Sequence, residues 1–296
     1  MAQVKEVDWL IIGSGGQLSL AMQEVLFQAN IEYQVFGSSV LDIRSSLKAT
    51  EISKTIKAKN IVNASAWTDV EGAETKSNEA MSLNVIGSVN AARMAKNMGA
   101  RLFHISSDYV FDGLRNVPYL ESDSVNPMSV YGRTKAQADY DVSEFYGEST
   151  YIIRTAWLYS PWAKNFYKTI LGLALKDDSN IKVVNDQFGQ PTSCLDLARS
   201  IIEISESRVE PGIYNRTNSG ITSWYGFAKL IFEMAGKGTE RVIPVSSEEF
   251  PSRVIRPKYS VLDSHKAEQS GLGVLDDWEN SVRSLYERIN LEVLKA

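Results

Sequence analysis

The 296-residue chain has one cysteine, Cys194, and two histidines, His104 and His265, far apart in sequence. A lone cysteine forms no internal disulfide. No Cys or His cluster shows the spacing of metal ligands, so no metal site is expected. Long apolar runs are also missing. The run at residues 9–12 is far too short for a signal-peptide core or a membrane span, and the first eight residues include polar and charged ones. Neither sign of charge dominates: 31 Lys and Arg stand against 36 Asp and Glu, a formal charge of −5. That balance argues against nucleic acid and against an anionic membrane as partners. A cytoplasmic protein is expected. What is present is ordinary for a globular chain, 44% hydrophobic and 23% charged, enough for one large domain or two smaller ones. There are no repeats, low-complexity tracts or clear linkers.

Residues 7–12 read as a buried strand, stopped by Gly13-Ser-Gly15-Gly16-Gln-Leu-Ser19. An amphipathic helix follows, to about residue 28. Strand, Gly-rich turn and helix are the context of a dinucleotide fingerprint, in which glycines bring backbone N–H groups close to a pyrophosphate at the helix N terminus. The spacing is Gly-x-x-Gly-x-x-Ser over residues 13, 16 and 19, with Ser19 where close helix–strand packing usually takes glycine. A second strand, residues 32–36, runs into Gly37-Ser38-Ser39 with no acid before Asp42. A ribose 2′-phosphate meets no repulsion there, and Ser38 and Ser39 offer hydroxyls. No basic residue sits at those positions, so a mild preference for NADPH over NADH is expected. Asp42 reads equally as a ligand contact or as the cap of a helix that continues through residue 57.

Residues 60–63 form a third strand ending in the small residues Ala64-Ser65-Ala66. A helix over about 79–98 carries Asn84, and residues 101–106 form a fourth strand. Strands alternating with helices predict an α/β fold with a parallel, doubly wound sheet, whose ligands sit at the carboxyl ends of the strands. Gly13, Ala64 and Ser107 all lie at such ends and converge on one crevice. A further strand is expected at 151–155, an irregular aromatic segment at 157–162, a loop at 186–192 and a last helix over about 278–293. The expected division places a dinucleotide-binding domain in residues 1–160. A substrate-binding region follows in residues 161–296, interleaved with the last elements of the first domain.

The chemistry centres on Leu102-Phe-His-Ile-Ser-Ser-Asp-Tyr-Val-Phe111 read with Tyr131-Gly-Arg-Thr-Lys135. A helix opening near Tyr131 puts the phenol and the ammonium one turn apart on one face. Tyr225 and Lys229 share this spacing, but no hydroxyl-bearing strand end accompanies them, so they read as an ordinary helix pair. A nearby ammonium favours phenolate and is expected to lower the Tyr131 pKa, making it an acid usable near neutral pH. Tyr131 would protonate a carbonyl oxygen as hydride reaches the carbon, and Ser107 would hold that oxygen. Lys135 would also reach the nicotinamide ribose. His104, inside an apolar strand, reads as a satisfied core histidine. Trp157, just past a strand end, reads as a pocket wall, with an ordinary core tryptophan as the alternative.

Further segments carry a resemblance: Gly13-x-x-Gly16-Gln17-Leu18, Leu41-Asp42-Ile43, Val62-Asn-Ala-Ser-Ala66 with Thr68, Ser106-Ser-Asp-Tyr-Val-Phe111, Tyr131-Gly-x-x-Lys135, Arg154-Thr-Ala-Trp157, Asn165-Phe166, Asp186-Gln-x-Gly-x-Pro-Thr192 and Arg256-Pro-Lys-Tyr-Ser260. Over nearly its whole length the chain resembles the extended short-chain dehydrogenase/reductase family and, within it, the dTDP-4-dehydrorhamnose reductases. The resemblance implies a Rossmann doubly wound parallel sheet with a smaller C-terminal α/β substrate-binding domain. It implies a catalytic set of Ser107, Tyr131 and Lys135, and substrate contacts from Ser107, Asp108, Tyr109 and Trp157. The expected cofactor contacts are Gly13, Gly16, Gln17, Leu18, Ser38, Asp42, Ile43, Ala64, Ser65, Ala66, Thr68 and Asn84, with Tyr131 and Lys135. The chain departs from the family pattern at Ser19, at Ser107 where Thr is usual, and at Gly37 where some relatives carry an acid.

The implied reaction is reduction of the C4 ketone of dTDP-4-dehydro-β-L-rhamnose by NADPH or NADH, in nucleotide-sugar and cell-surface polysaccharide biosynthesis. A homodimer is left open. Two other readings stand beside it. One is a reductase or epimerase of another nucleotide sugar. The other is a non-catalytic NADP-binding regulatory subunit like that of methionine adenosyltransferase, against which the intact Ser, Tyr and Lys set argues.

Overall fold

A computed structural model describes residues 4–249, 252 and 254–294. Its frame is a six-stranded, wholly parallel sheet. β1 (Lys5–Ile12), β2 (Tyr33–Phe36), β3 (Ile56–Asn63), β4 (Arg101–Ile105) and β5 (Thr150–Arg154) are joined by the strand Gly212–Asn215. The spatial order is β2-β1-β3-β4-β5 and then Gly212–Asn215 at the far edge. The chain steps outward from β1 to β2 and then crosses back to β3 on the other side of β1. This reversal is the topological switch point, beside which such sheets bind their ligands.

Side chains alternate along the strands, so each strand serves two cores. Trp9, Ile11, Val62, Phe103 and Ile153 face one side, where α1 (Gln17–Gln28) packs. Leu10, Ile12, Ile61 and Leu102 face the other. That side is covered by α2 (Ser46–Ile52), α5 (Gly87–Met98) and α6 (Val130–Tyr146). Between α2 and α5 lie two short helices, α3 (Val70–Thr75) and α4 (Ser77–Met81), and a π-helical turn, Ser82–Ile86. The remaining helices are α7 (Phe166–Lys176), α8 (Cys194–Glu206), α9 (Trp224–Met234), α10 (His265–Gln269) and α11 (Trp278–Leu294). A second, two-stranded parallel sheet pairs Ile181–Val184 with Val242–Val245 beside α9. The edge strand Gly212–Asn215 and α8, which packs on α1, come from the second half of the chain yet complete the first sheet and its cover.

Three expectations change. The helix expected through residue 57 stops at Ile52, and β3 begins at Ile56. Ile-Lys-Ala-Lys at 56–59 alternates buried and exposed, a period of two, and Lys59 meets Asp8 at 2.7 Å. The helix expected over 79–98 is split by the π turn that carries Asn84. The expected loop at 186–192 contains two short strands. Phe188–Gly189 pairs with Thr222–Ser223, and Thr192–Ser193 pairs with Leu158–Tyr159.

Candidate active site

The Gly-rich turn closes on the ends of two strands. The Gly13 N–H donates to Phe36 O at 2.9 Å, and Gly13 adopts φ +99°, open to glycine. A Cβ there would meet Ser65 N at 3.2 Å, so the turn lies against the end of β3. Ser19 is buried, and its hydroxyl donates to Gly13 O at 2.6 Å. The serine in place of the third glycine therefore braces the turn. Helices α2, α6, α7, α8 and α9 are each capped by a Ser or Asn side chain, whereas none caps α1. Its first N–H groups are available to an anion, and the helix dipole favours negative charge at that point. With Ala64 and Ala66 leaving room beside it, this is a fit for a dinucleotide pyrophosphate.

A cleft of about 500 Å³ runs from this turn past the ends of β3, β4 and β5. Gly16, Gln17, Leu18, Ala64, Ala66 and Thr68 line the α1 end. Ser107, Asp108, Tyr109, Tyr131, Lys135 and Trp157 line the rest. Gly13 and Ser65 sit behind this wall, and Ser38 is exposed in the turn after β2.

Three expected cofactor residues turn out to spend their side chains on the protein. Asn84 accepts from Trp67 N at 2.7 Å and donates to Trp67 O and to Thr134 Oγ1, so it fixes the loop after β3. Ile43 is core, and its carbonyl accepts from Asn90. Asp42 is gripped bidentately by Arg44 at 2.8 and 2.7 Å, while Ser45 caps α2, so Asp42 is not the cap. Gln17 splits its roles. Its side chain joins Leu158, Ser160 and Asn165, which leaves its backbone N–H at the head of α1.

At the centre, Ser129 caps α6 by accepting from Gly132 N at 3.1 Å, which brings Tyr131 into the first turn. The phenol lies within hydrogen-bond reach of the Ser107 hydroxyl. Tyr109 packs edge-on against the Tyr131 ring, with centroids 5.6 Å apart. Lys135 is buried and donates from Nζ to Ile105 O at 2.5 Å. Ser107 Oγ donates to Asp108 Oδ1 at 2.9 Å. Burial pushes the Asp108 carboxyl up to about 6, despite hydroxyls from Ser260 and Ser107 that favour its charged form.

Burial also decides the two catalytic candidates, and here the expectation about Tyr131 reverses. Its pKa is raised well above that of a free phenol, because desolvation outweighs the Ser107 hydrogen bond, and the nearby Asp108 charge adds to the rise. Lys135 is pulled down to about 8 by burial, with Asp139 opposing. Tyr131 is thus held protonated. His104 is core as expected but not well satisfied: its Nε2 stands 3.4 Å from Asp139 Oδ1, and burial keeps the ring neutral.

Several contributors carried no expected role. Arg256 reaches the cleft wall and donates to the Tyr109 hydroxyl at 3.0 Å and to Glu71 at 3.3 Å. Trp224, Phe166 and Phe227 build an aromatic wall with Trp157. Arg256 and Phe166 sit in segments that the sequence singles out, but their spacing gives no hint of the cleft. Tyr225 and Lys229 stand off it, the ammonium 5.6 Å from its own tyrosine ring. Among the described residues, no group of three or more His, Cys, Asp or Glu is placed to hold a metal, and no helix is long and apolar enough to cross a membrane.

Comparison with known proteins agrees with this geometry. The family described as the RmlD substrate binding domain matches residues 7–291. The spore coat polysaccharide biosynthesis protein SpsK of Bacillus subtilis is 36% identical over 89% of this chain and 91% of its own. A dTDP-4-dehydrorhamnose reductase structure from Clostridium acetobutylicum superposes with a TM-score of 0.88 at 38% identity, covering 98% of this chain and all of that one. One from Bacillus anthracis, in complex with NADP, gives 0.88 at 32% identity over 99% of this chain and all of its own. The uncapped α1 turn, the Ser107, Tyr131 and Lys135 cleft and these full-length matches lead to one conclusion: the chain belongs to the RmlD family of dTDP-4-dehydrorhamnose reductases, within the extended short-chain dehydrogenases/reductases.

Proposed function

We propose that this chain reduces the C4 ketone of dTDP-4-dehydro-β-L-rhamnose to the alcohol of dTDP-L-rhamnose. The observation that carries the reading is the meeting of Ser107, Tyr131 and Lys135 in a cleft that begins at the uncapped N terminus of α1. NADPH or NADH, when bound, would supply the hydride that reaches the carbonyl carbon. The α1 N–H groups and the Gly13–Gly16 turn would hold the pyrophosphate, and Lys135 would orient the nicotinamide ribose. Ser107 would turn its hydroxyl proton from Asp108 Oδ1 to the ketone oxygen. Tyr131 delivers its proton to that oxygen as negative charge builds there. A raised phenol pKa suits this task, because the acid must carry its proton until the charge appears, and an alkoxide is a stronger base than a phenolate. Residues 1–160 carry the cofactor side. Residues 161–296 supply much of the substrate side through Phe166, Trp224 and Arg256, while also completing the first sheet.

The deciding assay is NADPH oxidation against a panel of nucleotide 4-keto sugars. The dTDP-4-dehydro-L-rhamnose substrate should give the highest kcat/KM. A higher value with another nucleotide or sugar would move the substrate assignment. Tight NADPH binding without turnover of any keto sugar would replace the enzyme by a binding module.

A further inference from the structure

Beneath the cleft floor, charged side chains from three elements are buried together. Lys135 and Asp139 come from α6, Arg154 from β5, and His104 stands beside them on β4. Tyr131, Lys135 and Asp139 follow at one-turn intervals and so share a face of α6. The Asp139 carboxylate is fixed from the sheet. Its Oδ2 accepts from Ser106 Oγ at 2.8 Å and lies 3.4 Å from Arg154 Nε, while Oδ1 lies 3.4 Å from His104 Nε2. Arg154 is itself held by the Glu121 carbonyl and by the Phe111 ring. Lys135 donates to Ile105 O, which is neutral. A buried ammonium without a counter-charge is costly, and Asp139 is the anion that acts on it.

We propose that Asp139 is a positioning residue of the hydride-transfer site: its carboxylate keeps Lys135 charged and seated at the junction of α6 and β4. The inference rests on the reading of Lys135 as part of the catalytic set. The geometry makes the carboxylate suited to this and little else. It is closed off from solvent, it does not line the cleft, and its contacts tie the helix that bears Tyr131 to β4 and to Ser106, which leads from β4 into Ser107. Asp139 on α6 and His104 on β4 interact electrostatically with Lys135, Tyr131 shares its face of α6, and Arg154 on β5 joins the cluster through Asp139. Burial outweighs the hydrogen bonds and charges that favour the Asp139 anion one by one, but together His104, Arg154 and Ser106 hold its pKa low. Burial already brings Lys135 down to about 8 with Asp139 in place, so loss of the anion lowers it further and leaves two buried cations in one cluster.

The test is the pH dependence of kcat for the NADPH-loaded enzyme between about pH 6 and pH 9.5. Wild type should lose activity on the alkaline side as Lys135 deprotonates. Asp139→Asn keeps the size and an acceptor for Ser106 but removes the charge, and should move that limb down by about one pH unit or more. Asp139→Glu should restore the wild-type position. Should Asp139→Asn fail to fold, Asp139→Ser removes the same charge in a smaller side chain and should move the limb in the same direction. An unmoved limb in the folded variant, however low its activity, leaves Asp139 a structural residue and overturns the inference. Full activity in Lys135→Met would instead overturn the reading of the site itself.

Discussion

Trp157 stacks face to face on Trp224, with ring centroids 3.5 Å apart and planes 7° apart. Trp157 holds φ +47°, a left-handed conformation rare for a bulky residue. Gly189 also lies close to the indole: a Cβ there would come within 2.5 Å of it. The ring is thus held by Trp224 and by the backbone at Gly189 while it lines the cleft.

The clamp separates a pocket tryptophan from a core one. A core indole cut to alanine costs roughly 3–5 kcal/mol. Trp157 is half-buried, so Trp157→Ala should cost nearer the ~1 kcal/mol of a lost aromatic pair. Its kcat/KM should fall about tenfold or more, or roughly 1.4 kcal/mol of transition-state stabilisation. Gly189→Ala should lower kcat/KM as well, although Gly189 carries no chemical group. Unfolding of Trp157→Ala together with full activity in Trp157→Phe would return the residue to the core.

Removing the proton donor should be severe and specific. Tyr131→Phe is expected to reduce kcat by about 10²–10⁴, with circular dichroism and Tm near wild type. Tyr225→Phe, from the pair off the cleft, should stay within about threefold of wild type, well short of a lost general acid. Wild-type turnover in folded Tyr131→Phe would remove the phenol from the mechanism.

Asp108 should trade stability for function. Its folded pKa, about 6, lies above the ordinary carboxyl value, so the folded state binds more protons between about pH 4 and 6. Stability from this group is therefore full at low pH and lost as pH rises through that window. Asp108→Asn keeps an acceptor for Ser107 and removes the charge. Its Tm advantage over wild type should be near zero at pH 4, grow to pH 6 and then level off, worth about 3 kcal/mol at most. A thermal-shift series across pH checks it, and a constant or falling difference contradicts it.

Both cofactors should serve, with NADPH mildly favoured. Ser38 and Ser39 are exposed after β2, and the first acid, Asp42, has its charge matched by Arg44. Comparison of kcat/KM for NADPH and NADH decides this. An NADH preference of about a hundredfold, roughly 2.7 kcal/mol, would contradict it.

Much of the frame could be read from local signals. The short apolar run of β1 and the glycines that stop it act within a few residues, so that strand and turn are legible in the sequence. The meeting of Gly13, Ala64 and Ser107 followed from one rule about strand ends. Residues 56–59 were misread because Lys57 and Lys59 look helical in isolation. Only the neighbouring strand and Asp8 make their spacing a period of two. What tertiary structure alone decided was how each group is used. Asn84 closes on Trp67 and Thr134, and Asp42 pairs with Arg44, engagements that no sequence spacing shows. Tyr131 has its pKa raised where the spacing to Lys135 argued for a fall, because the cost of burying a charge depends on atoms from β4, β5 and the loop after β4. Sequence spacing fixes which residues share a turn of helix; desolvation depends on everything packed around them, and that is set by contacts tens of residues apart.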